Sequence, residues 1–133
     1  MIKRLGHVGV VVEDLDEWLK RYERVFGLRA RMIKESMDAK VRVAFIPVGD
    51  GEIDLIQPLT RDSPFGEFLK ANGQGIHHIA LITDDIEGEM DRMKIEGVAF
   101  DSEKPRTGAH GVRIIFTQPE TTGGITHELY AED

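Results

Sequence analysis

At 133 residues, with 41% hydrophobic and 31% charged residues, the chain has the size and mix of one soluble globular domain. No apolar run approaches the roughly 20 residues of a membrane span, and a net charge of -7 offers no basic face for nucleic acid, leaving two local basic spots, Arg29 with Arg31 and Lys104 with Arg106, for an anionic ligand. The absence of cysteine removes disulfides, thiolate nucleophiles and sulfur-ligated zinc, and together with Met1-Ile2-Lys3-Arg4 running straight into a strand without a secretory leader it leads us to expect a cytoplasmic protein.

The first strand is expected over residues 5–12, an apolar, β-branched run headed by His7. Asp14 is placed to cap a helix through about Phe26, in which Trp18, Leu19, Tyr22, Val25 and Phe26 recur at three and four residues as one apolar face; Trp18, Tyr22 and Phe26 are therefore expected in the core. Gly27 suits the end of that helix. Strands are then expected near residues 29–34, 41–48 and 52–57, with a turn at Gly49-Asp50-Gly51, giving the order βαβββ. A connection follows over residues 58–74, carrying a short amphipathic stretch at residues 65–70.

The order then repeats. A strand begins at Ile76, a helix runs from about Asp85 to Glu96, and strands are expected near Val98, over residues 111–117 and over residues 124–130, with the last turn at Thr121-Thr122-Gly123-Gly124. The copies align in detail, because His7-Val8-Gly9 through Asp14-Leu15 returns as His78-Ile79-Ala80 through Asp85-Ile86. The chain is thus read as one domain, residues 1–133, built of module one at about 1–58, a connection at about 59–74 and module two at about 75–133.

Aligning the last strand of each half brings out a second matched pair, Asp54 in Ile53-Asp54-Leu55 and Glu128 in His127-Glu128-Leu129. A carboxylate buried in an apolar strand costs several kcal/mol unless partnered, and a divalent cation partners two at once. His7, Asp54, His78 and Glu128 offer two neutral nitrogens and two anionic oxygens, which balance a 2+ ion. Nitrogen and oxygen donors without sulfur suit Co(II), Ni(II), Mn(II), Fe(II) or Zn(II). His77 and His127, next to the ligand positions, should point the other way and are read as structural.

These residues resemble the vicinal oxygen chelate, or glyoxalase-like, superfamily, and within it the methylmalonyl-CoA epimerases. The resemblance runs over nearly the whole chain: His7-Val8-Gly9 with Asp14-Leu15, Phe26-Gly27-Leu28, Asp54-Leu55-Ile56-Gln57-Pro58, Arg61-Asp62-Ser63-Pro64, Gly75-Ile76-His77-His78-Ile79-Ala80, Gly108-Ala109-His110-Gly111 and Gly123-Gly124 leading to Glu128-Leu129. It implies an α+β fold in which two tandem βαβββ modules form a cupped, metal-binding β-sheet. Its four ligand positions fall on His7, Asp54, His78 and Glu128, with Asp54 standing where the family more often has Gln or Glu. It implies a divalent ion, Co(II) first and Ni(II), Mn(II) or Zn(II) next, an acyl-CoA thioester as substrate, a homodimer, and no nucleic acid or membrane partner.

The activity implied is interconversion of the two epimers of methylmalonyl-CoA by α-proton abstraction through an enolate, with Glu128 as both ligand and base. The chain departs from the family twice. Val43 falls where several members carry a second glutamate, so Asp54, related to Glu128 by the repeat, is the expected second acid/base. Thr117-Gln118-Pro119-Glu120 replaces a segment that ends in lysine in similar proteins. Arg106, His110 and Arg113 are the candidate substrate contacts. A glyoxalase I type lactoylglutathione lyase is the alternative enzyme, an extradiol-type dioxygenase is disfavoured by a fourth protein ligand, and a metal-free small-molecule binder of the same fold is the non-catalytic alternative.

Overall fold

A computed structural model describes residues 1–132 and resolves them into two compact units, one of residues 7–77 and the other of residues 1–6 with the chain from His78 onward. The first strand, β1 (Ile2–Val11), contributes to both. Eight strands and three α-helices are present among the described residues, in the duplicated order read from the sequence.

In the unit of residues 7–77, β1 is followed by α1 (Leu15–Phe26), β2 (Met32–Ser36), β3 (Val41–Val48), β4 (Gly51–Pro58) and α2 (Pro64–Asn72), and the strands lie in the order β2-β3-β4-β1. Local chemistry sets the helix limits. The Asp14 side chain accepts from the Glu17 amide, and Gly27 closes α1 at φ 69°, a left-handed conformation that favours glycine. Gln57 supplies a further acceptor to the first turn, taking the Leu15 N–H at 2.9 Å. One face of β1, β3 and β4 packs Val10, Val12, Ala44, Ile46 and Leu55 against Leu15, Trp18, Leu19 and Tyr22. The stripe read from the sequence continues too far, however, since Phe26 is 61% exposed and Val25 58% exposed. Phe26 is the last helical residue and meets Tyr22 edge to face at 5.2 Å, so it stacks on its own helix where the chain turns away at Gly27.

In the other unit, the start of β1 lies beside β5 (Gly75–Thr83), with the Met1 carbonyl accepting from the Asp84 amide and the Thr83 hydroxyl. Then come α3 (Ile86–Ile95), β6 (Arg106–Thr107), β7 (Arg113–Phe116) and β8 (Thr126–Ala131), ordered β5-β8-β7-β6. Asp85 caps α3 by accepting from the Gly88 amide, as the sequence indicated. Ile86, Met90, Phe100, Ile115 and Leu129 form the core between helix and sheet.

The strand expected near Val98 does not form. The Val98 amide bonds back to Met93 at the end of α3, Phe100 makes a single antiparallel bridge to Thr117, and the Asp101 side chain takes the Phe116 amide at 3.2 Å. Backbone pairing there is limited to the bonds flanking that bridge, Asp101 N–H to the Phe116 carbonyl and Gln118 N–H to the Ala99 carbonyl, and the second strand of this module is only the two-residue β6 after Pro105. In module one the corresponding strand starts at Met32, later than expected, because Leu28 and Ala30 pack on the core.

Candidate metal centre

The repeat is reproduced in strand register. β1 and β4 run parallel with His7 opposite Glu52 and Gly9 opposite Asp54; β5 and β8 run parallel with His78 opposite Thr126 and Ala80 opposite Glu128. In each pair the histidine and the carboxylate therefore lie on one face of neighbouring strands, offset by two residues, and a small residue stands across from the acid. The opposite face is the one covered by a helix in each unit.

All four side chains are withdrawn from water, with His7 at 4%, Asp54 at 2%, His78 at 2% and Glu128 at 4% of their surface exposed. The His7 Nε2 lies 3.6 Å from Asp54 Oδ2, and the His78 Nε2 lies 4.0 Å from Glu128 Oε2. Both separations exceed hydrogen-bond length. They fall in the range of two donors on one cation, since ligands at about 2.1 Å lie from about 3 to about 4.2 Å apart depending on the angle between them. An imidazole beside a carboxylate, buried and so spaced, is a donor pair that suits a divalent ion.

Sequence reasoning missed Glu52. It lies on the same face of β4 as Asp54, two residues away, and one donor atom each from His7, Glu52 and Asp54 lie within 4.8 Å of one another. The alternation of β4 could have revealed it, but the repeat hid it by placing Thr126 at the corresponding position of β8. A layer of aromatic and basic residues behind the carboxylates was missed as well. Phe45 stands opposite Asp54 in the β3/β4 ladder and Phe116 opposite Glu128 in β7/β8, and each carries an arginine over its ring, Arg31 at 5.2 Å and Arg106 at 5.4 Å.

The remaining residues singled out from the sequence fall as follows. Arg106 grips Asp101 through both terminal nitrogens, at 3.1 and 2.8 Å, and so joins the Phe116 face. His110 is half-buried with its ring 5.2 Å from that of Tyr130. Arg113 sits beside Ile115 on the helix-covered side, pairs with Glu87 of α3, and lines a groove with Met90, Lys94 and Lys104. Val43 is buried opposite Ile56, on the face that carries Phe45 and Asp54. His77 is wedged between Phe65 and Phe68 of α2, 4.8 Å from each ring, and burial pushes its imidazole down to about 4. His127 holds the Ile125 carbonyl at 2.9 Å through Nδ1, while its backbone pairs with Thr117. Gln118 donates to the Phe100 carbonyl and leads into a 3-10 turn at Pro119–Thr121.

A family model described as Glyoxalase/Bleomycin resistance protein/Dioxygenase superfamily matches residues 6–116. The ethylmalonyl-CoA/methylmalonyl-CoA epimerase of Cereibacter sphaeroides is 36% identical over 131 residues, covering 97% of this chain and 98% of that protein. The human mitochondrial methylmalonyl-CoA epimerase is 34% identical over 127 residues, covering 95% of this chain and 72% of that protein. Among solved structures, a variant of Streptomyces coelicolor methylmalonyl-CoA epimerase in complex with 2-nitronate-propionyl-CoA superposes with a TM-score of 0.91 at 29% identity, over 98% of this chain and 95% of that one.

Proposed function

This chain belongs to the glyoxalase/bleomycin resistance protein/dioxygenase superfamily, and we propose that it is a metal-dependent epimerase interconverting the two epimers of methylmalonyl-CoA. The observation that carries the reading is the duplicated register: a buried histidine and a buried carboxylate, offset by the same two residues, in each of two βαβββ modules. The similarity to epimerases over nearly the full chain favours this substrate class over a glutathione hemithioacetal.

The proposal assigns His7, Asp54, His78 and Glu128 to one divalent ion, with Co(II) the first choice ahead of Ni(II), Mn(II) and Zn(II). When bound, the ion supplies Lewis-acid stabilisation of the negative charge that develops on the thioester oxygen. Glu128 takes the α-proton from the carbon between the two carbonyl groups, leaving the electron pair delocalised as an enolate. Asp54, its counterpart by the repeat, is protonated at the start of the step, returns that proton to the other face and is left as the carboxylate while Glu128 holds the abstracted proton; the same two groups run the reverse reaction with their roles exchanged. Val43 and Phe45 line Asp54's face with hydrocarbon, which keeps water from competing for the carbanion. Arg106 and His110 are the proposed contacts for the anionic and polar parts of the acyl-CoA. Arg113, paired with Glu87, is the weaker third.

The proposal extends to a cytoplasmic homodimer. No helix among the described residues is long and apolar enough to cross a membrane. The edge strand β2 leaves Met32 and Ile33 about half exposed, at 48% and 45%, as a surface for a second copy.

Incubation of a single epimer of methylmalonyl-CoA in D2O, with and without a chelator, tests the reading. Expected are racemisation at the α-carbon with deuterium incorporation, both abolished by chelation and restored by Co(II). No conversion by the Co(II)-loaded protein, with turnover of methylglyoxal and glutathione instead, would move the assignment to the lyase.

A further inference from the structure

We propose that Arg31 is a positioning residue that keeps Glu52 out of the coordination shell of the ion held by His7 and Asp54; this rests on the metal reading above. Glu52 has the chemistry and the place to become a ligand. It stands across the β1/β4 ladder from His7, shares Asp54's face of β4, and offers a donor atom within 4.8 Å of those of both residues. What restrains it is the guanidinium of Arg31, whose Nε and Nη2 donate to Glu52 Oε1 at 3.0 and 2.9 Å.

That arginine is itself fixed at two further points. Its backbone N–H donates to the Phe45 carbonyl at 2.8 Å, and its guanidinium lies over the Phe45 ring at 5.2 Å. Phe45 stands directly opposite Asp54. Backbone, ring and carboxylate thus hold Arg31 in one place, and Arg31 holds Glu52.

Charge explains why such a restraint belongs here. Two carboxylates among four ligands neutralise a 2+ ion, and a third acid alongside adds an excess negative charge that the Arg31 cation offsets. The other module shows the same arginine-over-phenylalanine arrangement without this duty. Arg106 lies over Phe116, but its acidic partner is Asp101, outside β8, and Thr126 occupies the register position of Glu52. The acid within ligand range and the arginine that grips it occur together, in the module of Asp54.

The test compares wild type, Glu52→Gln, Arg31→Met and the double variant in Co(II) titrations, read by calorimetric Kd and by the visible d–d absorption of the bound ion. Expected is a wild-type spectrum and Kd for Glu52→Gln, a shifted spectrum and a Kd tighter by about tenfold for Arg31→Met as Glu52 enters the shell, and reversion to wild type in the double variant. Arg31→Lys, which keeps the charge but loses the forked grip and the ring contact, should shift the spectrum in the same direction and serves if Arg31→Met does not fold. Loss of Co(II) in Glu52→Gln, or wild-type spectra in Arg31→Met or Arg31→Lys, overturns the inference alone. A wild-type protein that takes up no Co(II) overturns the metal reading and this inference with it.

Discussion

Phe116 stands directly across the β7/β8 ladder from Glu128 and meets the His78 ring edge to face at 5.0 Å. The base proposed for the reaction is thereby set beside an aromatic ring and an imidazole on the two strands that flank its own. Glu128→Gln keeps the shape and removes the basic oxygen. Epimerisation should fall roughly a thousandfold, in line with loss of a general base, while the fold, followed by circular dichroism, is retained. A variant within tenfold of wild type would assign the base elsewhere.

Asp54→Asn separates the two proton transfers. With Glu128 intact, exchange of the α-hydrogen of one epimer with D2O should persist while conversion to the other slows by roughly a hundredfold or more. Proton NMR of the substrate measures both. Full conversion with exchange from both faces would remove Asp54 from the acid/base role.

Metal removal should be felt in stability as well as in rate. Two histidine and carboxylate pairs are buried to within a few per cent of full burial, and a cation that binds the folded state alone stabilises it by mass action. Thermal melting after dialysis against a chelator is expected several degrees below that of the Co(II)-loaded protein. The difference should vanish in His7→Ala/His78→Ala.

His77 gives a pH signature distinct from the metal ligands. Its folded-state pKa of about 4 lies below the ordinary histidine value of 6.5, so the unfolded chain binds the proton more readily. Stability of the metal-free protein is then full above about pH 6.5 and falls as the pH drops towards 4, by roughly 3 kcal/mol. Urea unfolding across this range should show a steeper loss in wild type than in His77→Phe, which fills the same slot between Phe65 and Phe68. Parallel pH profiles for the two proteins would contradict the assignment.

Gly66 is a structural test independent of function. It is buried in the first turn of α2, and a Cβ there would run into the Thr60 and Arg61 carbonyls, which are backbone and cannot swing away. Gly66→Ala should cost about 2 kcal/mol in urea unfolding, although alanine is the better helix former.

Much of this chain was legible in one dimension because the rules involved are local. Asp14 and Asp85 announced helix starts through side-chain acceptors three residues from their partners, and Gly27 announced an end through its free φ. The repeat picked out His7, Asp54, His78 and Glu128 because alternation puts a residue on one face of its strand whatever its neighbours are. Register, packing limits and long-range side-chain pairing are not local, and the tertiary structure decided them. The Glu52 carboxylate became a neighbour of His7 only through the pairing of β1 with β4 across more than forty intervening residues. Arg31 and Phe45 were bound to that corner by β2 and β3, Phe26 was left outside because its helix outlasts the core, and the strand expected near Val98 was cut to the single bridge of Phe100 with Thr117. Each of these turns on how segments distant in sequence pair and pack, which no window of sequence contains.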